Sequence, residues 1–207
     1  MTDRIHIGID FDNTIVSYDK AFHHQALRMG LIKPDLAKNK QVIRDEIRKL
    51  AHGNDKWTEL QGIVYGTHMD EAEMIDGLDR FLLECRKKGI RVSVISQKTE
   101  FPFKGPRVNL RDAAKKWLED RQFISKFGLN ESDIHFETTI AEKIRRIGEK
   151  KCTHFIDDLP EILMNEQFPP NVQRILLSST EECPEKGVLC FRDWDMIGRY
   201  FFGGAHG

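Results

Sequence analysis

Two acids one residue apart, Asp10 and Asp12, close the apolar stretch 5–14, IHIGIDFDNT. A short strand that finishes in such a pair presents both carboxylates at the mouth of a sheet. Parallel α/β proteins bind ligands there, in the crevice beyond the carboxyl ends of the strands. A second pair, Asp157 and Asp158, follows another short apolar run, 153–156, and a third run, 90–95, ends at Ser96. If these strands share one polarity, the four carboxylates and the serine meet at one sheet edge. Carboxylates so crowded repel unless a cation neutralises them, and hard oxygen ligands select Mg²⁺. Each piece also has a purely local explanation. Asp and Asn favour turns, and Asp157 with Asp158 is placed to cap a helix over 161–164.

The elements that must position these residues follow from periodicity. From Asp76 onward, strands and helices alternate. Asp76 is placed to cap a helix with Leu78, Phe81, Leu82 and Cys85 on one face, Arg86, Lys87 and Lys88 in its last turn and Gly89 as its stop. The strand 90–95 follows, then a Pro- and Gly-punctuated loop over 97–109, then an amphipathic helix carrying Leu110, Ala113, Ala114, Trp117 and Leu118. Further strands are predicted at 133–137, 153–156, 172–177 and 188–191, with a helix over 140–148 and a last one carrying Trp194, Ile197 and Phe201. The glycine-rich end is expected to fray. This alternation predicts an α/β fold, a doubly wound parallel sheet. Helices returning between parallel strands run antiparallel to them, so Lys143 falls at the carboxylate edge and Lys150 and Lys151 at the opposite one. A lysine there opposes the helix dipole by up to ~1 kcal/mol, a cost that a nearby phosphate or carboxylate offsets.

Residues 17–67 differ in character, being rich in charge and helix formers. Breaks at Gly30, Pro34 and Gly53 divide them into about three helical pieces. Ile43, Ile47 and Leu50 form one apolar stripe. The expected organisation is a core of residues 1–16 and 68–207 with a helical insertion at 17–67. His23, His24 and Arg28 in the insertion are candidates to reach an anionic or hydroxylated substrate, with a solvated helix face as the plainer reading, and Lys98, Lys104, Arg107 and Arg111 around the loop are candidates to bind additional phosphate or carboxylate.

With 207 residues, 40% hydrophobic and 31% charged, the chain has the composition of an ordinary soluble protein. A net charge of -1 argues against a general nucleic-acid binder, which needs an excess of Lys and Arg. No apolar run is long enough to span a bilayer, and no signal-peptide core precedes the first strand, so a cytoplasmic location and no membrane partner are expected. Cys85, Cys152, Cys183 and Cys190 form no zinc-type cluster and are expected to be reduced structural thiols. Monomer and homodimer are both open.

Taken together, the strand ending DFDNT, the strand VSVIS ending in Ser96, Lys143 at the start of its helix and the strand ending FIDD resemble the haloacid dehalogenase superfamily of phosphohydrolases. The helical stretch after the first motif resembles that family's small cap. The resemblance implies a Mg²⁺-dependent phosphatase acting on a small phosphorylated metabolite such as a sugar phosphate or nucleotide. Asp10 would attack phosphorus to form an aspartyl-phosphate, and Asp12 would protonate the departing alkoxide and then activate water. Mg²⁺ would be held by Asp10, the Asp12 backbone carbonyl and Asp157 or Asp158. Ser96, Gln97 and Lys143 would bind the phosphoryl group. The family's dehalogenases do not need an acid at the position of Asp12, so Asp12 favours phosphoester cleavage. A phosphomutase using the same acid and a silent domain that senses a phosphorylated ligand are the alternatives.

Overall fold

A computed structural model describes residues 4–179, 183 and 187–203. Its strands are β1 (His6–Ile9), β2 (Val16–Ser17), β3 (Glu73–Met74), β4 (Arg91–Gln97), β5 (Ile134–Glu137), β6 (His154–Asp157), β7 (Gln173–Leu177) and β8 (Val188–Phe191). Its α-helices are α1 (Asp19–Arg28), α2 (Lys40–Arg48), α3 (Gly53–Gly62), α4 (Leu78–Lys87), α5 (Leu110–Asp120), α6 (Ile140–Glu149), α7 (Pro160–Leu163) and α8 (Trp194–Phe202). Six strands form one parallel sheet in the order β5-β4-β1-β6-β7-β8, and β2 pairs with β3 apart from it. The α/β expectation therefore holds. Among the described residues no helix is long and apolar enough to cross a membrane.

The chain divides into two compact units. One contains the described residues of Met1–Ile15, Met74–Gln97 and Gln122–Gly207, and so the whole parallel sheet. The other comprises Val16–Glu73 together with Lys98–Arg121. This corrects the boundaries read from the sequence: the helical unit runs past residue 67 and also takes in the 98–109 loop and α5. The physical reason lies in α5, whose buried Trp117 donates its indole N–H to the Ala72 carbonyl at 3.0 Å, a partner 45 residues away. Within this unit Phe22 stacks on Trp57 at 4.8 Å, and Ile43 and Ile47 are fully buried while Leu50 at the end of the predicted stripe is exposed. Gly62 of α3 leaves no room for a Cβ against the Lys104 carbonyl, so the loop is seated directly on that helix.

In the sheet unit β1 is buried on both faces, as an interior parallel strand must be. Gly8 at its centre is required by a close approach. A Cβ there would stand 2.5 Å from Phe155 Cδ2 and 3.0 Å from Cys152 Sγ, both in the core under α6. Gly8→Ala is therefore expected to destabilise by ~1–3 kcal/mol through overpacking, read as a lower urea midpoint at unchanged slope.

Helix starts are set locally. Thr139 and Glu142 form a reciprocal capping box on α6, and Asn109 and Asp193 cap α5 and α8. The expected cap of α4 is not made by Asp76: Gly77 occupies the position with φ 86°, a left-handed conformation that suits glycine, and no side chain caps the helix. At the amino edge of the sheet, buried Asp133 accepts from Arg91 at 2.6 Å and Asn130 at 3.3 Å and ion-pairs with Lys150 at 2.9 Å. Burial pushes its carboxyl up, but these partners outweigh that and hold it well below the usual range.

The cysteine expectation is also corrected. Cys183 and Cys190 are disulfide-bonded with a Cα separation of 5.8 Å, because β8 returns Cys190 beside a residue only seven positions earlier. Cys85 and Cys152 are free and buried, and burial pushes both thiols up to about 12, which leaves them unreactive. The expected fraying over 204–207 lies outside the described residues.

Candidate active site

The chain leaves β1 toward β4 on one side and leaves β6 toward β7 on the other, so the topological switch point falls between β1 and β6. Ligands of doubly wound sheets bind in the crevice at such a point. Asp10 immediately follows β1, and Asp157 is the last residue of β6. The Asp10 amide donates to the Ile156 carbonyl at 2.9 Å, which fixes the two strand ends side by side. Asp10 is 4% exposed and Asp157 fully buried.

Lys143 enters from α6, where it is the fourth helical residue and its amide makes the first i→i−4 bond, to Thr139. Its side chain is buried, and its Nζ stands 2.6 Å from Asp10 Oδ1 and 2.6 Å from Asp157 Oδ2. The polarity argument of the sequence thus places Lys143 correctly at the carboxylate edge. Burial works against its charge, but the two carboxylates more than offset that and raise the ammonium above the usual lysine range.

Asp158 is half-buried. Ligand oxygens of Asp10, Asp157 and Asp158 all lie within 4.8 Å of one another. Burial first, and the Asp10 charge second, push Asp157 and Asp158 up to about 7. One lysine among three converging carboxylates leaves excess negative charge in a buried place, and oxygen donors alone suit a hard divalent cation. The residues therefore fit Mg²⁺. The two acids differ in what they already hold. Asp157 accepts from Lys143 on Oδ2 and from the Leu159 amide on Oδ1, at 2.6 and 3.0 Å. That turn also answers the capping reading, since the residue at the start of α7 is Leu159, with no side-chain cap.

Two residues went unassigned in the sequence reading. Asn13 adopts φ 58° and hydrogen-bonds Asp158, while fully buried Thr14 donates from Oγ1 to Asp158 Oδ1 at 3.4 Å. Asparagine's tolerance of the left-handed region, directly after an acid pair, was the available signal. The Asp12 carboxylate stands outside the three-acid group, and Asp12 is half-buried. Ser96 is buried on β4, one register step beyond the residue level with Asp10. Gln97 is exposed and donates to the Thr138 carbonyl at 3.4 Å, just ahead of α6.

Several other candidates do structural work within the helical unit. His23 bonds the Leu36 carbonyl at 3.0 Å and His24 pairs with Glu71 at 2.9 Å. Lys104 pairs with Asp55 at 2.5 Å, Arg107 lies over the Phe101 ring at 4.5 Å, and Arg111 donates to the Lys98 carbonyl at 2.9 Å.

No protein-family model matches the chain, and no curated protein matches it in sequence. Solved structures do match in shape. A haloacid dehalogenase superfamily hydrolase from Ehrlichia chaffeensis aligns with a TM-score of 0.56 over 97% of both chains at 13% identity. A haloacid dehalogenase-like hydrolase from Streptococcus pneumoniae aligns with a TM-score of 0.57 over 97% of this chain and 100% of the other, also at 13%. Protein Tyrosine Kinase A of Mycobacterium tuberculosis aligns with a TM-score of 0.60 over 98% and 100%, at 11%. The fold is thus that of haloacid dehalogenase-like proteins.

Proposed function

We propose that the chain is a Mg²⁺-dependent phosphatase that cleaves a phosphomonoester of a small metabolite through an aspartyl-phosphate on Asp10. The observation that carries this reading is the Lys143 ammonium held between Asp10 and Asp157, with Asp158 beside them, at the switch point of the sheet. Asp10 is thereby fixed in one orientation and its charge is partly neutralised. Its carboxylate attacks phosphorus and the ester P–O bond breaks. Asp12, outside the carboxylate group, donates its proton to the leaving alkoxide. It then takes a proton from the water that attacks the aspartyl-phosphate, releasing inorganic phosphate and restoring Asp10. Ser96 hydrogen-bonds a phosphoryl oxygen, and Gln97 lies at the same strand end.

Asp10, Asp158 and the Asp12 backbone carbonyl would hold Mg²⁺, which when bound supplies positive charge against the phosphoryl oxygens. Asp158 is assigned ahead of Asp157 because Asp157 already has the Lys143 ammonium as its counter-charge, whereas the side chains that bond Asp158, Asn13 and Thr14, are neutral. Thr14 and Asn13 then orient a metal ligand from behind.

The test is hydrolysis of p-nitrophenyl phosphate with Mg²⁺ and with a chelator, followed by a panel of metabolite phosphates. Turnover that disappears with chelation and returns with Mg²⁺ is expected. Absence of magnesium-dependent turnover across the whole panel overturns the reading.

A further inference from the structure

The turn that follows β1 carries much of the assigned metal site. Asp10 and the Asp12 carbonyl lie in it, and its Asn13 and Thr14 side chains both bond Asp158. Locally the turn is closed by the Ile15 amide, which donates to the Phe11 carbonyl at 3.0 Å, around Asn13 at φ 58°. A left-handed residue other than glycine persists only where its surroundings hold it. Thr14 is fully buried, so its backbone carbonyl needs a donor. That donor comes from 180 positions away in the chain: the indole N–H of Trp194, at 3.0 Å.

Trp194 is itself held firmly. It is the first residue of α8, whose start is set by Asp193 accepting from the Met196 amide at 2.7 Å. Its side chain is buried, with the Phe81 ring at 4.9 Å. Gly77 makes room for it, since a Cβ there would lie 3.1 Å from the Trp194 Cβ. The rings that gather around Phe81 from the end of α8, Phe201 and Phe202, are phenyl groups. Beyond bulk, what an indole adds to such a cluster is one N–H donor, and here that donor goes to Thr14.

We propose that Trp194 is a positioning residue for the metal site: its N–H fixes the Thr14 backbone, and so the hydroxyl that Thr14 extends to Asp158. The proposal rests on the reading of Asp158 as a Mg²⁺ ligand. The first probe is Mg²⁺ alone, because a metal that binds the folded state raises Tm with concentration and so yields a Kd without turnover. Trp194→Phe keeps a ring and removes the donor. It should weaken Mg²⁺ about fivefold, below the ~10–100-fold that follows loss of a partner touching the ligand itself. Replacing Trp194 by 3-benzothienylalanine exchanges only the N–H for sulfur and should give the same shift, so the test survives a poorly folding Trp194→Phe. Thr14→Val should weaken Mg²⁺ about tenfold. Adding Trp194→Phe to Thr14→Val should then cost less than about twofold more, since the hydroxyl to be positioned is gone. Phe202→Leu, which loosens the aromatic cluster and leaves the donor in place, should lower Tm and keep the Mg²⁺ Kd.

In turnover, the Mg²⁺ activation curve of Trp194→Phe should shift by the same factor while KM for aryl phosphate and kcat at saturating Mg²⁺ hold. An unchanged Mg²⁺ Kd in both Trp194 replacements, full additivity in the double variant, or an equal Kd shift in Phe202→Leu overturns the positioning role and leaves the phosphatase reading standing. Mg²⁺ binding that shifts as expected but supports no turnover sinks the phosphatase reading and upholds the role. If Mg²⁺ leaves the Tm of the unaltered protein where it was, both fall.

Discussion

Asp10→Asn is expected to lower kcat for aryl phosphate hydrolysis by at least ~10³-fold, in line with the ~10⁶-fold losses seen when a nucleophile is removed from a hydrolase that forms a covalent intermediate. Asparagine has nearly the same shape and keeps an oxygen that can accept from Lys143, so the loss should fall on chemistry rather than folding. Product phosphate should still bind, because Ser96 and Lys143 remain. Acid-quenched unaltered enzyme should carry one extra phosphoryl mass on the peptide that contains Asp10, and the variant should carry none. A variant retaining a tenth of the activity would show that another group attacks phosphorus. The electrostatics give a second readout. The Asp10 charge is one of the causes that push Asp157 and Asp158 up to about 7, so both carboxyls should titrate lower in the variant.

The site was legible where local rules and sheet polarity act together. The run ending at Asp10, the run ending at Asp157 and the helix carrying Lys143 each have a boundary signal, and one polarity argument sends all three to the same edge. Contacts between residues distant in sequence were not legible. Trp117 finds its acceptor at Ala72, so α5 groups with the helical unit although periodicity alone placed it with the sheet. The Cys183–Cys190 bridge depends on where β8 begins, and spacing does not reveal that. The choice between Asp157 and Asp158 was likewise hidden, since it turns on which of the two takes the Lys143 ammonium.

Lys143→Met offers the most direct measure of what the lysine balances. Methionine preserves the volume and removes the charge, leaving Asp10 and Asp157 buried without their cation. Breaking a buried pair by deleting one partner costs ~3–5 kcal/mol, which in a chain of this size lowers Tm by about 10 °C. The loss must depend on pH. A carboxyl whose folded pKa is raised contributes its stability fully below its unfolded value near ~4 and loses it as pH rises through the folded value. For Asp157 and Asp158 in the metal-free protein that window closes at about 7. Without the lysine their folded values rise further and the window extends upward, so the Tm gap between variant and unaltered protein should widen from pH 5 to pH 8. Lysine's own titration cannot produce this trend, because its raised pKa keeps it charged throughout that range. Added Mg²⁺ should narrow the gap at pH 8 more than at pH 5, since proton and metal compete for the same oxygens. Activity should fall with the charge even where Mg²⁺ restores Tm. An equal Tm gap at both pH values would mean that Lys143 stabilises by packing, and that the three carboxylates share their burial without its help.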